Sequence, residues 1–292
     1  MTIPERILAL PYWQGDLAAE PLSGGLSNEI WKVTDAAGAH VVRLGEDYPF
    51  HHVDRAREAM TALAAHEAGF GPAVQHVDPG VMVTEFVEAR TWGEADLRNN
   101  PEQVGHLLAQ FHTRMAAHVT GAAFLFWPFH VIRDYAHTLT GTRHAEDLPK
   151  FLALSAEMEA AQVPLPIIFG HHDLLPANFL DDGARLWLID YEYAGFGTAL
   201  FDLAGAASNA GMSAEQADAL LAAYFGAKPD TSLMRAFDAM QVASLLRETL
   251  WAMVSGIHLA APGVDYDAYA VENRDRMQVA IETYQTRWGS TP

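Results

Sequence analysis

The hydrophobic pattern changes after Glu88, and this change limits the possible folds more than any other feature of the chain. Before it, short stretches of alternating apolar and polar residues predict five strands, with one helix that ends at Gly69 between the third and fourth strands. After it, five long segments repeat apolar residues at helical spacing, and a strand-rich insert at 165–193 interrupts them. We therefore predict an α+β fold of two lobes, a small β-rich lobe at 1–88 and a large, mostly helical lobe at 89–292.

The composition excludes several kinds of function. The 292 residues include no cysteine, which excludes disulfides, thiolate metal sites and cysteine nucleophiles. The formal net charge of −19 argues against nucleic-acid binding, which needs clustered Lys and Arg. No apolar run is long enough to span a membrane, and the first residues lack the basic start and apolar block of a signal peptide. We therefore expect a cytoplasmic protein with a small-molecule site in the cleft between its lobes.

A cluster of polar side chains follows the apolar run PLPIIF in the large lobe. It reads GHHDLLPANFL and contains the pattern His171-x-Asp173-x4-Asn178, while Asp190 follows at the end of the apolar run LWLI. Phosphoryl transfer from ATP needs an aspartate beside the attacking hydroxyl and two oxygen ligands for Mg²⁺. The spacing is that of a kinase catalytic loop with its downstream metal aspartate. Asp173 is therefore the candidate catalytic residue, and Asn178 and Asp190 are the candidate metal ligands.

Two other interpretations of this cluster are available. Asp and Asn are common in turns because their side chains accept hydrogen bonds from the nearby backbone. A zinc site formed by His171, His172 and Asp173 is disfavoured, because adjacent side chains diverge in an extended chain whereas ligands on one helix face converge. The position of Asp190 favours phosphoryl transfer over both.

The metal-binding segment reads IDYEYAG where protein kinases carry D-F-G. With this segment and the catalytic loop, the chain resembles the choline/ethanolamine kinase-like members of the aminoglycoside phosphotransferase superfamily. The resemblance implies a protein-kinase-like fold, with ATP and Mg²⁺ as cofactors. It also implies phosphorylation of the hydroxyl group of a small cationic alcohol, with choline and ethanolamine as the leading candidates. It also implies that Asp202 anchors the catalytic loop and that His171 braces it, although Asp202 could instead be a helix N-cap. His112 is expected to be a core histidine.

The small lobe supplies candidate nucleotide-binding residues in the order that a kinase requires. Arg43 in the strand HVVRLG is expected to bind the α- and β-phosphates, with Glu58 on the following helix as its partner. Strand alternation places Val41 on the face of Arg43, where it can cover an adenine ring. The other candidates lie in the turn SGGLSNE, which can hold phosphates, and in the connector VTEFVE, whose backbone can bind the adenine edge: Ser27, Asn28, Glu85 and Val87. A surface ion pair, a hairpin turn and strand pairing would explain the same residues.

Candidate substrate-binding residues lie in two places. Three of them follow the metal aspartate directly, and the second is also a candidate ligand of a second metal ion: Tyr191, Glu192 and Tyr193. The later segment ASLLRETLWAMVSG resembles the choline-kinase segment in which two tryptophans, three residues apart, help to enclose the ammonium group. Trp251 matches the second tryptophan, and Glu248 stands at the first, where a glutamate can instead pair with a primary or partly substituted amine. A cationic substrate is still expected, while this departure counts against choline itself. A core aromatic residue is the other interpretation of Trp251.

Two alternatives to an amino-alcohol kinase stay open. The same motifs serve aminoglycoside, thiamine and other small-molecule alcohol kinases, because the catalytic loop contacts only the phosphate and one hydroxyl group. The other alternative is a catalytically inactive nucleotide-binding module, although inactive relatives usually lack one of the three residues that this chain retains, Asp173, Asn178 and Asp190.

Overall fold

The computed structural model describes residues 3–22, 28–259 and 263–289. The N-terminal part forms an antiparallel five-stranded sheet in the order β1-β2-β3-β5-β4. Its strands are Ala18–Leu22 (β1), Glu29–Thr34 (β2), Ala39–Leu44 (β3), Val74–Asp78 (β4) and Val81–Glu85 (β5). The chain leaves this sheet after Glu85 and enters the helical part at Arg90, so the predicted boundary at residue 88 falls in the connection between the two lobes.

The small-lobe sheet buries one of its faces. In β3 the side chains of His40, Val42 and Leu44 are buried, while Val41 and Arg43 are half-buried on the opposite face. A short helix, Glu5–Leu8 (α1), packs Ile7 into the core beneath the sheet. This alternation confirms that Val41 and Arg43 share a face.

The main helix of the small lobe, Arg55–Glu67 (α2), connects β3 to β4. Its N-cap is Asp54, whose side chain accepts a hydrogen bond from the backbone N–H of Arg57 at 2.7 Å. The chain turns sharply after the helix at Gly69, whose φ of +83° favours glycine, and the predicted stop at this residue is confirmed.

The large lobe is built from helices around one long central helix. They are Glu94–Asn99 (α3), Pro101–Arg114 (α4), Pro128–Thr138 (α5), Leu148–Ala160 (α6), Ala199–Ala210 (α7), Ala214–Phe225 (α8), Thr231–His258 (α9) and Tyr266–Trp288 (α10). Helix α9 packs against α5, α6, α7 and α10, and most of its residues from Met234 to Ser255 are buried. Among the described residues, no helix is both long and apolar enough to cross a membrane.

Two small sheets carry the polar cluster. Ile167–Gly170 (β7) pairs with Gly195–Thr198 (β10), and a three-stranded sheet joins Arg90–Thr91 (β6), Phe179–Asp181 (β8) and Leu186–Leu188 (β9). The catalytic loop runs from β7 to β8, and the segment with Asp190 runs from β9 to β10. Because β7 pairs with β10 and β8 pairs with β9, both segments lie at one edge of these sheets, facing the small lobe through Arg43.

The predicted α+β arrangement of two lobes is confirmed, with three local differences. Helices α1, α3 and α5 are absent from the sequence-based assignment. Helix α7 is capped by Thr198, whose side chain accepts from the N–H of Leu200, so the N-cap interpretation of Asp202 is wrong. The strand-rich insert extends past residue 193, because β10 ends at Thr198.

Candidate active site

The catalytic loop is held from beneath by Asp202 of α7. Its Oδ2 accepts a hydrogen bond from the backbone N–H of His171 at 2.8 Å, and its Oδ1 accepts one from the backbone N–H of His172 at 2.7 Å. The Nε2 of buried His112 lies 2.8 Å from the same Oδ2, and its Nδ1 lies 2.8 Å from the hydroxyl of Tyr224. These contacts confirm both the anchoring role of Asp202 and the satisfied core position of His112.

His171 braces the loop against the segment that carries Asp190, the candidate metal ligand. Its Nε2 donates to the carbonyl of Ile189 at 2.9 Å, and its Nδ1 accepts from the N–H of Asp173 at 3.3 Å. The imidazole is therefore fixed in one tautomer and has no nitrogen left for a metal ion. The residues that follow His171 and Ile189 have unusual backbones, with φ of +62° at His172 and +71° at Asp190. Non-glycine residues rarely adopt this left-handed region, and such residues cluster at functional sites.

Asp202 is expected to contribute strongly to stability. Burial alone would raise the pKa of Asp202, but His172 and His112 outweigh burial and hold this pKa well below its ordinary value. Asparagine replaces one of the two accepting oxygens by an NH2 group, which cannot accept a hydrogen bond from a backbone N–H. We therefore expect Asp202→Asn to lower the free energy of unfolding by about 3 kcal/mol, measured by urea denaturation at pH 7. A carboxyl group whose pKa is lowered by folding stabilises the fold at pH values above its ordinary pKa. The difference in stability between wild type and Asp202→Asn should therefore persist near neutral pH and shrink only in strong acid.

The control for this prediction is Asp230→Asn. Asp230 caps α9 by accepting from the N–H of Leu233 at 2.8 Å, and asparagine caps equally well. An Asp202→Asn protein as stable as this control would contradict the anchoring role.

Asp173 and Asn178 lie together in the catalytic loop. The Nδ2 of Asn178 donates to the carbonyl of Asp173 at 2.8 Å and lies 3.4 Å from its Oδ2. The carbonyl of Asn178 accepts from the N–H of Ile189 at 3.1 Å, which ties the asparagine to the strand end before Asp190. The loop thus presents a partly exposed carboxylate, and the amide orientation leaves Oδ1 of Asn178 to act as a metal ligand.

Arg43 joins the small lobe to this segment. Its Nη1 lies 2.5 Å from Glu58 Oε1 and 2.8 Å from Asp190 Oδ1, and its Nη2 lies 2.9 Å from Glu192 Oε2. The pair with Glu58 is buried, so the surface ion-pair interpretation is wrong. Burial alone would lower the pKa of Arg43, but Asp190, Glu58 and Glu192 raise it above its ordinary value. The guanidinium is therefore permanently charged.

A second arginine, absent from the sequence-based candidates, completes the cluster. The Nη1 of Arg55 lies 2.6 Å from Glu58 Oε2 and 3.0 Å from Glu192 Oε2. Two arginines thus face three carboxylates (Glu58, Asp190 and Glu192), which leaves one excess negative charge. Mg²⁺ needs only one or two protein carboxylates when phosphates supply the other oxygens, so Asn178 and Asp190 fit this ion. No three His, Asp or Glu side chains of the described segments converge into a ready metal site.

Glu192 lies in the arginine cluster. Besides the two arginines, its Oε2 accepts from Asn28 Nδ2 at 3.1 Å, so a contact of Glu192 with the substrate or with a second metal ion stays a prediction. Asn28 also packs closely on Gly45, where an added Cβ atom would lie 2.6 Å from its Oδ1, so a larger residue there would displace the Asn28 side chain. Asn28 therefore reaches the charged cluster.

The other predicted nucleotide-binding residues are placed as follows. The N–H of Glu85 donates to the carbonyl of Ala73 at 2.9 Å, so the backbone N–H of Glu85 is already used within the lobe. Val87 lies in the connection after β5, and Val41 lies beside Arg43 on the half-buried face of β3. Ser27 falls outside the described residues. Adenine binding by Val41, Glu85 and Val87 stays a prediction.

An aromatic cluster surrounds Trp251 in the large lobe. Trp251 of α9 donates from Nε1 to the hydroxyl of Tyr193 at 2.8 Å, and its ring stacks on His51 with centroids 5.2 Å apart. Tyr266 and Tyr269 of α10 contact the same tryptophan edge-on. Trp251 is thus a buried residue within an aromatic cluster, and its contact with a substrate stays a prediction.

The two tyrosines after the metal aspartate point to different places. The ring of Tyr191 is parallel to Phe111, and its hydroxyl donates to the carbonyl of Leu188 at 2.9 Å, which places it in the large-lobe core. Tyr193 faces Trp251 instead. Of the two, Tyr193 is the better placed to line a substrate pocket, and the substrate contact predicted for Tyr191 has no support from this packing.

A buried ion pair on α9 lies next to the aromatic cluster around Trp251. Glu248 pairs with the preceding residue, Arg247, and accepts from the hydroxyl of Tyr269 at 3.4 Å. Burial raises the pKa of Asp173 well above its ordinary value, with Asp190 and Glu248 adding to the increase and Arg247 opposing it. The two charges of the pair therefore have opposite effects on the pKa of Asp173. Arg247 is absent from the sequence-based candidates, although an arginine inside an apolar helix was an available signal.

His51 is another residue that the sequence-based candidates omit. It follows β3 in the small lobe, but its Nε2 lies 2.8 Å from the hydroxyl of Ser255 on α9 and its Nδ1 lies 3.2 Å from the hydroxyl of Tyr135. Burial, with the charges of Arg247 and His258, lowers the pKa of His51 to about 2, so the imidazole is neutral at neutral pH. The small lobe thus contributes the uncharged ring of His51 to the aromatic cluster around Trp251.

The chain is similar to known phosphotransferases over most of its length. Residues 18–240 match the model of the phosphotransferase enzyme family. A probable ethanolamine kinase from Arabidopsis thaliana is 27% identical over 206 residues, which span 64% of this chain and 54% of that protein. The protein LicA from Haemophilus influenzae is 24% identical over 264 residues, which cover 86% of this chain and 76% of LicA. The chain therefore spans only about half the length of the plant relative.

Solved structures show the same arrangement of lobes. A choline/ethanolamine kinase family protein from Mesorhizobium loti superimposes with a TM-score of 0.76 and 30% identity, covering 97% of this chain and 95% of that one. The spectinomycin phosphotransferase APH(9)-Ia, solved with ADP and spectinomycin, superimposes with a TM-score of 0.65 at 12% identity, covering 94% and 95%. At that identity the second likeness concerns the fold alone.

Proposed function

The chain belongs to the phosphotransferase enzyme family, and we propose that it transfers the γ-phosphoryl group of ATP to a hydroxyl group of a small amino alcohol. Membership in this family makes it a small-molecule kinase. The observation that carries the proposal is the convergence of Asp173, Asn178 and Asp190, with Arg43 bridging Asp190 and Glu58. Loose phosphoryl-transfer transition states are stabilised mainly by positioning and by charge, which this arrangement supplies.

Each residue has a distinct part in the proposed reaction. Asp173 orients the acceptor hydroxyl and takes its proton as the oxygen attacks the γ-phosphorus. Arg43, held by Glu58, binds the phosphates of the nucleotide. Asn178 and Asp190 would hold Mg²⁺, which neutralises charge on the phosphates when bound.

Glu248 and its aromatic neighbours favour one class of acceptor. Glu248 can form a charge-assisted hydrogen bond with the N–H of a primary amine, whereas a quaternary ammonium has no N–H to donate. The rings of Trp251 and Tyr269 lie next to this carboxylate and can interact with a cationic group. Ethanolamine is therefore favoured over choline as the simplest acceptor, in keeping with the ethanolamine kinases among the relatives.

The experiment is an acceptor screen with Mg-ATP and coupled detection of ADP. The panel contains ethanolamine, methylated ethanolamines, choline, thiamine, several aminoglycosides and simple sugars. Turnover of amines with a free N–H above choline supports the proposal. Turnover confined to an aminoglycoside, thiamine or a neutral sugar would retain the kinase and overturn the amino-alcohol assignment.

The pH dependence of turnover tests the place of Glu248. Asp173 must be ionised to accept a proton, and its raised pKa places the acid limb of log kcat above the range of an ordinary aspartate. Glu248→Gln removes a negative charge that raises this pKa, so the acid limb should move to lower pH. Glu282→Gln, a substitution of an exposed residue on α10, is the control. An acid limb that stays in place in Glu248→Gln would contradict the proximity of Glu248 to Asp173.

A further inference from the structure

Arg247 is the largest fully buried side chain of the described residues, and only part of it is paired. Its Nη1 contacts Glu248 Oε1, while its Nε and Nη2 are buried without any hydrogen-bond partner in the part of the chain that the structure describes. A buried polar group without a partner is costly, and more so when it is charged. The described residues supply no partner for these two N–H groups, so a bound ligand with acceptor atoms would satisfy them.

The two unpaired nitrogens share one edge of the guanidinium. Nε and Nη2 point their N–H groups in parallel along the side opposite Nη1, and this edge matches the two oxygens of a carboxylate. The guanidinium carbon lies 4.4 Å from the ring centroid of Tyr193 and 5.8 Å from that of Phe126. Aromatic rings interact favourably with the positive charge but offer no in-plane acceptor to the N–H edge.

The contacts of Arg247 connect this edge to the residues proposed to bind the acceptor. Tyr193, beneath the guanidinium, also holds Trp251, and Glu248 is shared between Arg247 and Tyr269. The charge of Arg247 acts on Asp173. Arg247 and Glu248 form one ion pair. It presents one anionic and one cationic group side by side, which matches a zwitterion.

Resting on the proposed kinase activity, we infer that the acceptor alcohol is a small hydroxy-amino acid: Arg247 binds its carboxylate and Glu248 binds its ammonium group. The hydroxyl oxygen then forms a bond to the γ-phosphorus as the bond from that phosphorus to the β,γ-bridging oxygen breaks. The hydroxyl proton passes to Asp173, and ADP and a phosphomonoester leave. The carboxylate takes no part in the chemistry, so Arg247 is a specificity residue.

The test uses acceptors that differ only by a carboxylate. Serine is compared with ethanolamine, and homoserine with 3-aminopropanol, by kcat/KM with Mg-ATP. Two charge-assisted hydrogen bonds predict that the acid is preferred by about 100-fold in at least one pair. Arg247→Lys keeps a cation beside Glu248 but loses the two-donor edge, so this preference should fall at least about tenfold. Arg235→Lys, the same change earlier on α9, is the control and should leave the preference unchanged.

Each other outcome has a defined meaning. Faster turnover of ethanolamine and 3-aminopropanol than of their acids would overturn the inference and leave the amino-alcohol kinase intact. An equal loss with acids and amines in Arg247→Lys would show that the edge binds the transferred phosphoryl group instead, and would also overturn it.

A binding measurement separates failure of the inference from failure of the proposed function. Thermal shifts are recorded with a non-hydrolysable ATP analogue, Mg²⁺ and each acceptor, for wild type and Arg247→Lys. Stabilisation by an acid but not by its amine, lost in Arg247→Lys, supports the inference even if no ADP forms, in which case the proposed transfer is what fails. Equal or absent stabilisation by acids and amines overturns the inference.

Discussion

Replacing Asp173 by asparagine is expected to lower kcat by about 10³-fold, because a positioned general base contributes about 10²–10⁴-fold to a rate. Asparagine has nearly the same shape and can still accept from Asn178 Nδ2, so the catalytic loop should keep its geometry. It cannot take the proton of the hydroxyl. Nucleotide affinity should change little, because Arg43 and Asp190 carry that binding. Turnover is measured by ADP release with the best acceptor, and ATP affinity by titration calorimetry.

The matched control is Asp182→Asn. Asp182 is exposed and accepts hydrogen bonds within its own turn between β8 and β9. An Asp173→Asn enzyme that retains most of its activity would contradict the assignment of the base. A protein that loses ATP affinity as well as turnover would show that Asp173 acts on the loop or on the metal ion instead.

Replacing Asp190 by asparagine is expected to remove the dependence of ATP affinity on Mg²⁺. It should also lower kcat/KM by about 10³-fold, a loss comparable to removing one group that stabilises the charge of the transition state. Asp190 is the carboxylate that lies between Arg43 and the catalytic loop, 2.8 Å from the guanidinium. Without its charge Mg²⁺ loses its main protein ligand. In EDTA the variant should bind ATP at least as well as wild type, because a negative charge near the phosphates is gone.

Calorimetric titrations with ATP, in Mg²⁺ and in EDTA, check this prediction. A variant whose ATP affinity still rises with Mg²⁺ as in wild type would place the metal ion elsewhere. The Asp182→Asn protein serves again as the control, since it carries the same charge change on an exposed turn.

The central motif could be predicted from the sequence because its contacts are local. Asp173 and Asn178 are five residues apart in one loop, and the strand LWLI delivers Asp190 to the same sheet edge. The pairing of Arg43 with Glu58 was also predictable, since strand alternation and the next helix define both positions.

The remainder of the site depends on contacts that no local pattern encodes. Arg43 and Arg55 meet Glu192 across 149 and 137 residues of chain. Tyr191 and Tyr193 point in different directions because the chain turns between them, where the N–H of Ala194 donates to the carbonyl of Tyr191 at 3.1 Å. The apolar residues around Arg247 indicate its burial, but its contacts depend on how α9 packs on several neighbouring helices.

The most direct measurement is a ³¹P NMR spectrum of the wild-type protein with Mg-ATP and the best acceptor from the screen. We predict a new phosphomonoester resonance that grows in step with ADP and is absent with Asp173→Asn. Release of ADP with inorganic phosphate alone, or a phosphomonoester formed equally by Asp173→Asn, would contradict a kinase that uses Asp173 to direct a substrate hydroxyl at the γ-phosphate.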